Sequence, residues 1–241
     1  MRICLHRVLG VISLVLVTVQ MSYAQIDETQ LRQEIILSYS PLKTLDISGS
    51  YRLDLKENMT QFRRSNFEVR ADYSILKWLK LITTYRYVTS YERDQHRLAL
   101  GFAARKNSLN KKYQFQFKSM VHFISDYMDR DYWMIEDPRW VLRMRARFRY
   151  DLTKKISLAV YAETFARNFS EEYLFYRMRY GGELSYSPKK RHTLSLGYFY
   201  QHEFNRKRPA ETQTFSLSYE YEFKKKKKKT TAPITVPSDK N

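Results

Sequence analysis

From residue 31 to residue 223, apolar side chains recur at almost every second position. That period settles the fold class before composition is consulted. A strand sends successive side chains to opposite faces, whereas a helix returns to one face only every three or four residues. In the segment at 43–55, Leu45, Ile47, Gly49, Tyr51, Leu53 and Leu55 share one face, and Asp46, Ser48, Ser50, Arg52 and Asp54 share the other. The segment at 139–151 sets Trp140, Leu142, Met144, Ala146, Phe148 and Tyr150 against Val141, Arg143, Arg145, Arg147, Arg149 and Asp151. The last sets Phe215, Leu217, Tyr219, Tyr221 and Phe223 against Ser216, Ser218, Glu220 and Glu222. About 11 such segments lie near 31–40, 43–55, 63–75, 79–90, 95–105, 112–124, 139–151, 155–165, 174–186, 192–203 and 212–223. The chain reads as all-β.

Alternation alone does not separate a soluble sandwich from a membrane barrel, because both bury one strand face and wet the other. Three features favour the barrel over a soluble periplasmic β-protein. The segments run about 10–13 residues, where ordinary strands average about five or six and a tilted transmembrane strand needs about 9–11. The apolar face carries many tyrosines, among them Tyr51, Tyr73, Tyr85, Tyr87, Tyr113, Tyr150, Tyr176, Tyr180, Tyr186, Tyr198, Tyr200, Tyr219 and Tyr221. Bilayer interfaces accept such hydroxyls, while a dry core must pair each one. Short connections (near 40–41, 77–78, 106–111, 153–154 and 187–189) alternate with longer polar ones at 56–62, 91–94, 125–138, 168–172 and 204–211. The expected fold is a transmembrane antiparallel up-and-down β-barrel of about 10–12 strands. Single-chain bacterial barrels usually have an even count, so residues 26–40 are where 10 and 12 are decided.

Residues 1–24 read as a secretory signal peptide. Arg2 and Arg7 give the positive start, residues 8–19 the apolar stretch, and Ser22-Tyr23-Ala24 the small-residue site before Gln25. The competing reading is an uncleaved anchor, which Gln20, Ser22 and Gln25 interrupt too early for a good span. Cleavage would remove Cys4, the chain's one cysteine, and with it any thiol chemistry. The formal net charge of +18 first suggests a nucleic-acid binder, but export makes such a partner unexpected. Six of those charges are Lys224 to Lys229, opening a lysine-rich tail at 224–241 that is expected to be disordered. The barrel is then residues 25–223. Phe223 ends its last strand as the barrel-assembly machinery would require, and outer-membrane lipids are the other expected partner.

The polar face is where function would reside. Arg143, Arg145, Arg147 and Arg149 project inward from one strand, and Arg177 and Arg179 from another. Glu68, Glu163, Glu183 and Glu220, with Asp54, Asp72 and Glu222, are the available counter-charges. Two readings follow for these lumen candidates. The interior is filled by Arg–carboxylate forks, or the arginines are the selectivity element of a narrow, anion-favouring pore. A lipid- or lipopolysaccharide-modifying enzyme is the alternative from another class, with His122, Ser125 and Asp126 as its base, nucleophile and acid. Ser and Asp are also ordinary turn formers at a strand end. A third possibility is ligand binding through the long outer loops. The acidic, aromatic loop at 125–138 suits a cap or a solvated surface better than a calcium site, whose spacing it lacks. No metal spacing, phosphate loop or cofactor motif is present, and no catalytic residue is assigned.

The run from Arg139 to Tyr150 resembles the Arg-rich strand of the outer-membrane proteins called domain of unknown function 2490. So do Ala162-Glu163-Thr164-Phe165, Tyr176-Arg177-Met178-Arg179-Tyr180-Gly181 and Leu196-Gly197-Tyr198-Phe199-Tyr200-Gln201. The resemblance spans most of residues 29–223. It implies an outer-membrane barrel with no assigned biochemical activity and no catalytic residues to carry over. The lysine tail departs from the family's usual ending at the last strand.

Overall fold

The computed structural model describes residues 28–91, 94–110, 112–127, 139–169, 172–204 and 210–223, without the side chains at 126–127, 139, 168–169 and 172–174. The expected leader, the lysine tail and residues 128–138 of the acidic loop lie outside the described residues. The described chain forms β1 (Glu28–Tyr39), β2 (Leu45–Lys56), β3 (Gln61–Ser74), β4 (Leu79–Ser90), β5 (Asp94–Asn107), β6 (Tyr113–Tyr127), β7 (Arg139–Asp151), β8 (Ile156–Phe169), β9 (Glu172–Lys189), β10 (His192–Glu203) and β11 (Ala210–Glu222). Each strand pairs with its sequence neighbours, and the sheet closes on itself.

Closure explains the strand count, which is 11 among the described residues rather than 10 or 12. β1 pairs with β11 in parallel, Glu28 opposite Thr212 through Ser38 opposite Glu222, while every other pair is antiparallel. A parallel seam removes the demand for an even number, so the doubtful first segment is a full strand. One register row runs from Asp46 through Asp72, Ile82, Gly101, Met120, Arg143, Phe165, Arg177 and Glu203 to Ala210. It starts at the beginning of β2 and finishes at the opposite mouth, which is the stagger expected of strands tilted by roughly 35–45°.

The faces follow the alternation. Ile35, Leu37, Val69, Leu98, Leu100, Val160, Leu196 and Leu217 are exposed on the outer wall. Aromatic pairs ring it toward each mouth: Tyr113–Tyr150 and Tyr221–Phe223 at one, Phe123–Trp140 and Tyr87–His96 at the other. Two girdle hydroxyls at the loop mouth are paired, Tyr87 Oη donating to Asp94 at 2.6 Å and Tyr85 Oη lying 2.7 Å from His96 Nδ1. With an apolar outside and a polar inside, the molecule has the architecture of a transmembrane barrel. Leaving the ladder closed also leaves no strand edge to be satisfied in hydrocarbon.

Tyr176 is a correction to the expected outer face. β9 carries one extra residue where Phe165 pairs with Arg177 but Ala166 pairs with Phe175. This bulge turns Tyr176 inward, 6% exposed, against Phe165. The contrast between mouths is also smaller than the sequence suggests. β4 ends at Ser90 and β5 begins at Asp94, and β8 and β9 are separated by two residues. Strands run on into the polar segments, so only 128–138 and 204–209 are long connections at what we term the loop mouth. At the opposite turn mouth, Lys43, Lys77, Lys106, Lys112, Lys154, Lys155, Lys189 and Lys190 are exposed, beside exposed Leu42, Leu76, Trp78, Leu109 and Leu152.

Candidate functional site in the lumen

The inward positions nearest the loop mouth are long and charged, and two walls of them face each other. On β1–β4, Asp54 accepts a fork from Arg32 (Nε–Oδ1 2.8 Å, Nη2–Oδ2 3.2 Å) and a bond from Arg64 Nε at 2.8 Å. Arg52 Nη2 donates to Glu34 at 2.8 Å, and Arg86 pairs with Glu68. A second β-bulge, between Asp54 and Leu55 opposite β3, accompanies Arg64 here. On β7–β10, Glu163 accepts from Arg143 Nε at 2.6 Å and Arg179 Nη1 at 3.1 Å. Arg179 Nη2 also donates to Gln201 Oε1 at 2.7 Å, Arg177 pairs with Glu203 at 2.5 Å, and Arg147 with Glu183 at 2.8 Å.

Aromatic rings hold the guanidinium planes. Phe165 has the guanidinium carbons of Arg143, Arg177 and Arg179 within 5.3–5.6 Å of its centroid. Phe199 stands between Arg179 at 4.4 Å and Arg32 at 5.1 Å, so one ring joins the two walls across β10. Stacking covers the faces of these groups and leaves their N–H edges to meet acceptors.

Arg145 differs from its neighbours. Its cross-strand partners are Lys118 on β6 and Glu163 on β8, and both Glu163 oxygens are already held by Arg143 and Arg179. Among the described residues it reaches no carboxylate, and its buried Nε has no hydrogen-bond partner. The guanidinium lies 3.9 Å over the Tyr161 ring instead. Tyr161 in turn occupies the space a side chain at Gly181 would need, its Oη being 2.6 Å from where a Cβ would stand.

These groups enclose a cavity of about 430 Å³ whose wall contains ten arginines (Arg32, Arg52, Arg64, Arg86, Arg97, Arg143, Arg145, Arg167, Arg177 and Arg179) against three glutamates, Glu34, Glu163 and Glu183. Toward the turn mouth the inward side chains become apolar on one side of the lumen. Ile82 and Met120, 0% and 2% exposed, pack with Ala99 and Ala103 inside the β4–β6 wall. Farther on are small local pairs, Arg149 with Asp151 and Lys80 with Asp46.

A family model described as "Protein of unknown function (DUF2490)" matches residues 28–214. The chain belongs to the DUF2490 family. No curated protein matches it. Among solved structures, this DUF2490 barrel is similar to the beta domain of the Bordetella autotransporter Brka, with 14% identity, a TM-score of 0.45, and coverage of 77% of this chain and 86% of that one.

Within the DUF2490 barrel the sequence-derived lumen candidates divide. Arg143, Arg145, Arg177, Arg179, Glu163 and Glu183 line the cavity, and Glu68 supports it through Arg86. Arg147 reaches it only through Glu183, and Arg149 lies near the turn mouth, beside Asp151. Glu220 accepts from Ser38 Oγ at 2.7 Å and has no arginine partner among the described residues. Sequence reasoning missed Arg32, Arg52, Arg64, Arg86, Arg97 and Arg167, because each stands without a second arginine two positions away on its polar face. Their parity in the alternation was the available signal. The inward rings of Tyr161, Phe165 and Phe199 were missed too, since aromatics were read as outward.

The base–nucleophile–acid set does not assemble. His122 and Ser125 are three residues apart on one strand and therefore point to opposite faces. His122 lines the lumen, whereas Ser125 pairs with outward His96. His122 Nε2 has no hydrogen-bond partner among the described residues, and no group of His, Cys, Asp and Glu there could hold a metal.

Proposed function

We propose that this protein is an exported outer-membrane barrel without enzyme activity whose lumen admits small anions from the loop mouth and passes them slowly. The observation that carries the reading is the cavity wall of ten arginines and three glutamates, which keeps an arginine excess even when Asp54, Glu68 and Glu203, paired with it from outside the wall, are counted. In a low-dielectric barrel such an excess raises the local anion concentration and excludes cations. The outward apolar wall and aromatic rings support residence in a bilayer. The exposed lysines of the turn mouth suit anionic lipid headgroups, and its short turns support a periplasmic orientation for that mouth. Outer-membrane lipids, and an assembly machinery that reads the terminal strand at Phe223, are the partners this reading entails.

Planar-bilayer recording tests the channel. A salt gradient across folded wild-type protein should give a small conductance with an anion-favouring reversal potential. Replacing Arg145 and Arg147 by Ser should move that potential toward the cation side. Silence from correctly folded protein sinks the channel. Separately, mass spectrometry of protein from the outer-membrane fraction should find the mature chain beginning at Gln25; an intact residue 1 would mean the leader is retained.

A further inference from the structure

We propose that the arginine cavity is a binding site for a small phosphorylated solute carrying two phosphoryl groups. This deepens the anion-lumen reading and rests on it only in requiring that the lumen be reached from the loop mouth. Two arginine walls meet the cavity, one on β1–β4 and one on β7–β9. Each is organised around a shared carboxylate, Asp54 for Arg32 and Arg64, Glu163 for Arg143 and Arg179. One carboxylate cannot saturate two five-donor forks, and Arg145, which forms no ion pair among the described residues, lines the same cavity.

A planar fork whose face is covered by an aromatic ring keeps an N–H edge that matches a tetrahedral oxyanion bidentately. The site is therefore prearranged for phosphoryl oxygens, with a cation on each wall to receive one group. Arg145 is the key position on the β7–β9 wall, since it makes no ion pair of its own among the described residues and shares the field of Glu163 with Arg143 and Arg179. The cavity, at about 430 Å³, lies within the usual range of about 300–1,000 Å³ for small-molecule sites. It has room for two phosphoryl groups and a small core between them.

Isothermal titration of the full mature chain, folded in zwitterionic detergent, tests this with pyrophosphate as probe. Saturable one-to-one binding is expected, at least tenfold tighter than that of inorganic phosphate, because only the paired anion engages both walls. Arg145→Gln should weaken pyrophosphate by tenfold or more. Arg149→Gln, on the same strand but outside the cavity, should change it less than twofold. Thermal unfolding gives a second readout independent of the variants, since pyrophosphate should raise the wild-type melting temperature.

Equal affinity for phosphate and pyrophosphate overturns the two-group site, as does an equal loss in both variants. A short-chain phosphatidic acid that binds where pyrophosphate does not would make the ligand a lipid headgroup and overturn the solute. Conductance without pyrophosphate binding removes this site and leaves the channel; binding without conductance leaves the site and removes the channel.

Discussion

Glu163→Gln should lower the stability of the barrel by about 3–5 kcal/mol, the range for removing one partner of a buried ion pair. The carboxylate is 1% exposed and bridges Arg143 and Arg179, with Arg145 directly across the β7–β8 ladder. An amide keeps the shape but presents an N–H where one guanidinium needs an acceptor, and three cations are left around a neutral group. Because charge rather than volume is lost, removing a cation should compensate. Glu163→Gln combined with Arg179→Gln is expected to recover part of the loss. Urea unfolding from lipid vesicles measures all of these. Asp151→Asn supplies the contrast, because its pair with Arg149 is open to water at the turn mouth and should cost less than about 1 kcal/mol. Similar losses in both variants would show that Glu163 is not the hub of the wall.

Gly101→Ala should be the most damaging single methyl in the barrel wall. Gly101 faces the lumen between Ile82 and Met120, and an added Cβ would stand 2.1 Å from the main-chain oxygen of Ser119 and 2.6 Å from Met120 Cγ. Met120 has other rotamers, but the Ser119 carbonyl is part of the β5–β6 ladder. Relief therefore requires the two strands to separate, and overpacking of this kind typically costs about 1–3 kcal/mol. Gly49 is the control: nothing lies within 4 Å of its Cβ position on the outer wall. Gly49→Ala should be neutral or stabilising by up to about 1 kcal/mol, through the unfolded chain. The fraction of protein migrating as folded barrel on an unheated gel, with the same urea unfolding, separates the two. A Gly101→Ala barrel as stable as wild type would mean the strands already sit farther apart than the register implies.

The alternation was legible because it is a local property. Trp140 to Asp151 states which side of β7 each residue takes whatever the neighbouring strand, and the structure puts Arg143 and Arg145 in the cavity wall accordingly. Tyr176 shows the limit of that logic. A bulge inserts one residue and reverses the parity beyond it, and the cause is the pairing of β8 with β9 rather than anything in the run Tyr173 to Tyr180. The arginine ladder was equally visible, yet two of its four members lie outside the cavity wall. Residues of one strand differ in depth, and depth is set by tilt and stagger around the whole barrel.

The sequence by itself therefore determined an all-β chain of about 11 long strands, their inner and outer faces and the inward aim of the arginines, since a two-residue period needs no partner. Tertiary structure alone decided the rest. The parallel β1–β11 seam permits an odd barrel. The shared register brings Arg32 and Arg179 to one Phe199 ring. Glu163, with both oxygens engaged by others, leaves Arg145 without an ion pair among the described residues. Each of these joins residues distant in the chain, and only closure of the sheet fixes which of them meet.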